Sequence, residues 1–153
     1  MNEYRVEKVR HRVDLTLINR VCLEGDIFLQ AATRHRAGPE EPVDALNGEA
    51  PFLPLERPSG DVVIVQKSHI FTLTTMLPER DDTVERGVLG MHVEFTLSDG
   101  SVWVGSIFPE QPADRPRLVD FLNDTPRRFV ALFTRDRVVA VNREHLSFAR
   151  PRS

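Results

Sequence analysis

The chain has 153 residues, 41% of them hydrophobic and 28% charged, with a formal net charge of -3 and a pI near 6.0. That balance is ordinary for a globular protein in water and excludes a surface that is basic all over, as a general nucleic-acid coat requires. No apolar run reaches the length of a membrane-spanning helix, the charged first twelve residues lack the apolar segment of a secretory signal, and the lone Cys22 has no partner for an internal disulfide, so a cytoplasmic protein is expected.

Residues 2–10 are polar with isolated Tyr4, Val6 and Val9 and fit a short strand or a helical turn equally well. Val13, Leu15 and Leu17 then alternate with Arg12, Asp14 and Thr16, the period of a strand with one wet face. Asn19-Arg20 turns the chain into a second strand, Val21 to Leu29, with Gly25 inside an otherwise apolar run; glycine there marks a bulge, a bend or a close backbone approach. A proline-containing loop over 30–42 leads to a short helical turn, Val43-Asp44-Ala45-Leu46-Asn47, with Pro42 at its natural first position. Three short strands follow at about 51–56, 61–66 and 69–74.

The same series then returns. Arg12 to Phe28 aligns with His92 to Phe108 without a gap at an offset of 80, and Ser98-Asp99-Gly100 supplies a better hairpin turn than the first half has. Val119-Asp120-Phe121-Leu122-Asn123 answers Val43 to Asn47, the stretch from Phe129 answers Phe52, and Val138 to Leu146 answers Val62 to Ile70. Of 35 aligned positions, 16 are identical, which identifies an internal repeat. The expected architecture is therefore mainly β: a tandem of two five-stranded SH3-like or Sm-like small barrels, each with a short helical turn. Residues 1–74 form the first unit, 75–90 a charged linker and 91–153 the second. Units this small have thin cores and exposed edges, so packing together and homo-oligomerisation are expected.

Leu97-Ser98-Asp99-Gly100, then Gly105-Ser106-Ile107, then Val141 to Leu146 closing the half, resemble the two signature segments of Sm-like barrels. Val65-Gln66-Lys67-Ser68-His69-Ile70 is similar to the closing segment of the bacterial Hfq-type host factor, with Lys67 at its basic position. The unit as a whole also resembles an uncharacterised bacterial family that carries one or more such units and implies no activity. The Sm resemblance implies single-stranded RNA binding through Lys67 and Arg143. The sequence departs from that pattern at Gln66, Ser68 and Asn142, and Asp26-Ile27-Phe28-Leu29 and Ser106-Ile107-Phe108-Pro109 stand where a base-binding Met-Asn belongs.

No phosphate loop, metal-ligand spacing or nucleophile motif occurs, so no catalytic, cofactor or metal residue is expected. His69 and His145 recur at equivalent places, and a strand-edge histidine that satisfies a backbone group explains them best. Asp44 and Asp120 are expected to accept free N–H groups at the helix start, and Asn47 and Asn123 to end the turn in a left-handed conformation. Cys22 reads as a small buried residue and Trp103 as core. The arginines between Arg127 and Arg152 form either a phosphate-binding stripe or solvated outer faces, the second being preferred. The function expected is non-catalytic binding through protein contacts, as a scaffold or adaptor; the alternative is Sm-like RNA binding.

Overall fold

From Arg12 onward, strand β1 (Lys8–Leu17) turns Val13 and Leu15 into the core and Arg12 and Asp14 to water, the alternation a half-buried strand requires. It pairs antiparallel with β2 (Cys22–Gln30) from Thr16↔Cys22 to Lys8↔Gln30. Helix α1 (Pro42–Asn47), β3 (Phe52–Glu56), β4 (Val62–Gln66), a 3-10 turn at Lys67–His69 and β5 (Ile70–Met76) complete the first half. The second half follows the same order with β6 (Met91–Leu97), β7 (Val102–Ile107), α2 (Leu118–Asp124), β8 (Phe129–Phe133), β9 (Arg137–Asn142), a 3-10 turn at Arg143–His145 and β10 (Leu146–Pro151). This is a computed structural model, and it describes residues 8–31, 40–77, 90–109 and 117–152.

The pairings of the two halves agree position by position. Val13↔Gly25 in the first hairpin answers Val93↔Gly105 in the second. Leu17↔Ile70 and Thr16↔Thr72, with a register shift between them, answer Leu97↔Leu146 and Thr96↔Phe148 with the same shift. In both halves the second strand pairs with the third at one position only, Asp26↔Glu56 and Ser106↔Phe133. The two central glycines stand beside that crossing. A Cβ on Gly25 would lie 2.4 Å from the Glu56 carbonyl oxygen, and one on Gly105 would lie 2.5 Å from that of Phe133. Close backbone approach is therefore what these glycines allow.

The ten strands lie in one open antiparallel sheet in the order β10-β6-β7-β8-β9-β5-β1-β2-β3-β4. Where the sequence suggests two closed five-stranded barrels, the two halves share a single sheet, because β5 pairs with β9 of the other half from Thr72↔Val141 to Met76↔Arg137. The cores cross at that seam. Phe129 and Ala140 of the second half belong to the apolar cluster around Val13, Leu15 and Leu55, and Phe71 of the first half belongs to the cluster around Val93, Phe95 and Leu132.

Several local expectations are corrected. Cys22 is exposed, since it opens β2 on the outward side of the alternation, as its counterpart Val102 does in β7. Asn47 and Asn123 are not left-handed; among the described residues positive φ is confined to Arg20, Gly60 and Gly100. Arg20 holds a φ of 67° in the turn where the second hairpin has Gly100 at 88°, so the poorer turn sequence is accommodated at some conformational cost. Asp44 accepts the Glu41 N–H at 3.1 Å, as a residue near a helix start should, whereas Asp120 pairs with Arg117 one turn away at 3.3 Å. Trp103 is partly buried against the second core cluster. Strand β5 runs on to Met76, into the segment expected as linker; 78–89 of that linker, the loop segments 32–39 and 110–116, and residues 1–7 lie outside the described residues.

Candidate functional site

The seam between the halves shows what this sheet does to a strand edge that is covered. Beyond the β5·β9 ladder, the Asn142 side chain, fully buried, donates from Nδ2 to the Ile70 carbonyl at 2.9 Å and accepts the Glu144 N–H at 3.0 Å. The ring of His145 places Nε2 2.9 Å from the Ser68 carbonyl and stands edge-on to Phe71, with centroids 5.0 Å apart. Asn47, at the end of α1, clamps β8: its Nδ2 donates to the Phe129 carbonyl at 3.0 Å and its Oδ1 accepts the Phe129 N–H at 2.8 Å. These bonds satisfy polar groups that would otherwise be buried without partners.

Among the described residues two edges remain uncovered, β4 and β10. Side chains on and beside these edges are the counterparts of side chains closed over around the seam, with opposite exposure. Phe129 is 0% exposed and its counterpart Phe52 is 50%; Ala140 is 2% and Ile64 is 62%; Thr72 is 2% and Phe148 is 51%. Val62 is also exposed, so β4 carries an apolar rim with no charged residue along Val62–Gln66. Natural edge strands are normally protected by charge, proline or cover. Strand β10 has Arg150 and Pro151; β4 has none of these.

The residues expected to contact an anion are engaged elsewhere. Lys67 is 3% exposed, and its Nζ donates to the Ala45 carbonyl at 2.7 Å and the Gly48 carbonyl at 3.4 Å, closing the C-terminal end of α1, where a cation is favoured by the unpaired carbonyls. Burial pushes this ammonium below the usual lysine range, opposed by nearby Glu40 and reinforced by Arg128. Arg143 does the same for α2, donating to the Leu122 carbonyl at 2.7 Å. The other C-terminal arginines are spread over several elements: Arg128 pairs with Glu144, and both Arg150 and Arg152 pair with Glu94.

The two recurrent histidines share a backbone role. The His69 carbonyl accepts the Ile18 N–H and the His145 carbonyl accepts the Ser98 N–H, each at 2.8 Å, tying the hairpin turn to the 3-10 turn in both halves. Their rings differ: His145 is held at the seam, and His69 is exposed on the uncovered side. His11 bonds Thr75 Oγ1 at 2.7 Å, and burial holds its ring below the ordinary histidine pKa, with Asp26 acting in the other direction. No group of His, Cys, Asp or Glu among the described residues has the arrangement to hold a metal ion. A shallow depression bounded by Arg12, Asp14, Thr74, Thr75, Met76 and Arg137 lies over the middle of the sheet.

No protein-family model, curated protein or solved structure matches the chain. Its function must be read from its own geometry.

One feature of the sequence bears on the uncovered edges. Val138 to Val141 of β9 are apolar without a break, the pattern of a strand covered on both faces. The aligned Val62 to Val65 are just as apolar, yet here one edge and one side are open.

Proposed function

We propose that this chain is a non-catalytic binding protein that acts through protein contacts made at its two open sheet edges, with two Sm-like or SH3-like units as its building blocks. The observation that carries this reading is the contrast between Phe129 and Ala140, closed over at the seam, and Phe52 and Ile64, their counterparts left open on β3 and β4. An unprotected apolar edge is a template for strand addition, in which main-chain hydrogen bonds give affinity and alternate side chains give specificity. The equivalence of the β1·β5 and β6·β10 registers supports the repeated unit.

The competing reading is Sm-like binding of single-stranded RNA through Lys67 and Arg143. It is disfavoured because both cations already serve helix carbonyls and the remaining arginines do not gather in one place. Retention of short labelled RNAs at low and high salt decides between the two. We expect weak retention that the double substitution Lys67→Ala with Arg143→Ala leaves unchanged. Tight retention that falls steeply with salt and disappears in that variant would overturn the protein-contact reading in favour of RNA.

A further inference from the structure

We infer that two copies of this chain pair through β4, antiparallel about a twofold axis at Ile64, into a closed dimer whose sheet runs on from one copy to the other. This names the partner for the β4 edge in the reading above and rests on that reading.

The direction of the main-chain groups on β4 sets the geometry. The Asp61 carbonyl accepts the Arg57 N–H at 2.7 Å and the Lys67 N–H donates to the Pro51 carbonyl at 2.9 Å, so the pairs just beyond both ends of the β3·β4 ladder are hydrogen-bonded ones. Hydrogen-bonded and non-hydrogen-bonded pairs alternate along an antiparallel ladder. Counted inward through the register from Phe52↔Gln66 to Glu56↔Val62, Val63 and Val65 turn their N–H and C=O groups toward β3. Val62, Ile64 and Gln66 turn theirs to the open edge. Pro54 agrees with this parity, since it stands opposite Ile64, where no N–H is asked of it.

Outward residues placed evenly about Ile64 make an edge that is its own complement. An antiparallel copy centred there sets Ile64 against Ile64, with Val62 against Gln66 on either side, and every outward N–H then meets an outward C=O. A centre moved to Val63 or Val65 leaves groups at one end without a partner. The side chains obey the same axis: exposed Ile64 meets its own copy, and Phe52 and Pro54, exposed on β3 beside it, lengthen the apolar strip on both sides. Charge fits as well. No charged residue lies within Val62–Gln66, and the flanking Asp61 and Lys67 are opposite in sign, so the axis sets Asp61 of each copy across from Lys67 of the other and no like charges meet.

Strand β10 presents a different edge. The Arg152 N–H reaches the His92 carbonyl at 2.8 Å, which by the same alternation leaves Ala149 and Pro151 facing outward, and Pro151 has no N–H to give. Arg150 and Arg152 are held by Glu94 of their own chain. A contact that uses the unprotected β4 edge of both copies closes on itself and leaves only the protected edges outside.

The test is the solution mass of the full chain for the wild type, Ile64→Lys, Ile64→Glu and Phe148→Lys. It is followed by sedimentation up to about 1 mM, where a contact of millimolar Kd holds half of the chains in pairs. Ile64 and Phe148 are exposed in the single chain, and circular dichroism with the thermal midpoint checks that each variant is folded. The wild type is expected to move from 17.4 kDa to twice that mass and no further. Ile64→Lys and Ile64→Glu each bring like charges face to face at the axis, so each alone is expected to stay single. Mixed in equal amounts they are expected to pair, because opposite charges then face each other. Phe148→Lys is expected to pair as the wild type does. A wild type that remains single throughout overturns the inference, and so do masses that climb beyond the dimer. Folded Ile64 variants that pair alone, or that fail to pair when mixed while the wild type pairs, also overturn it, as does loss of pairing in folded Phe148→Lys. Were an Ile64 variant not to fold, the wild-type series and Phe148→Lys would still decide. The RNA measurement above judges the edge reading separately, so a monomeric wild type removes the second copy as partner without deciding between protein and RNA.

Discussion

Phe129→Ala is expected to lower the unfolding free energy by about 3–5 kcal/mol, the range for emptying a fully buried phenylalanine site, while Phe52→Ala at the aligned position changes it by less than about 0.5 kcal/mol. Phe129 is 0% exposed and packs in the first half's core although it belongs to the second half, whereas Phe52 is 50% exposed on the open side. The two residues share a strand position and a side chain, so the difference reads the seam alone. Denaturant unfolding at dilute concentration, where the chain is single, measures it. Equal losses at the two positions would mean that the seam contributes nothing that the open edge lacks.

Gly25→Ala and Gly105→Ala are each expected to cost about 2–3 kcal/mol through overpacking. The added methyl group would stand 2.4 Å from the Glu56 carbonyl in one half and 2.5 Å from the Phe133 carbonyl in the other. The obstacle is backbone, so no rotamer change relieves it, and the third strand must move away from the second at the single position where they pair. Near-equal losses in the two variants, read from denaturant midpoints, are the expected signature of one geometry used twice. A loss below about 0.5 kcal/mol in either, the ordinary range for an unconstrained position, would contradict the close approach.

Strand positions and both helical turns were legible in the sequence from period-two alternation and residue type, while Gly25 and Gly105 were legible only as a bulge, a bend or a close approach, a choice that the neighbouring third strand decides. Aligning the halves also drew attention to Asn47 and His145, both of which hold the seam. It did not locate the seam itself. Val138 to Val141 and Val62 to Val65 are nearly interchangeable as sequence, and which of them meets β5 depends on how the halves dock, a choice that local patterning does not record. Lys67 and Arg143 show a related gap: a cation after a strand carries no sign in the sequence of the helix carbonyls to which it donates in the fold. Asn47 was read as a turn-ender from its type, while its long-range partner Phe129 lies 82 residues away in sequence.

The most direct test of edge-mediated contact is amide hydrogen exchange in β4 (Val62–Gln66) compared with β9 (Arg137–Asn142), followed as protein concentration rises. In the single chain β9 has a neighbour on both sides and β4 on one, so β4 is expected to exchange faster when dilute. Pairing at the β4 edge predicts that β4 slows toward β9 as concentration increases, while β10 keeps its rate. Exchange in β4 that is the same at every concentration would contradict association through this edge.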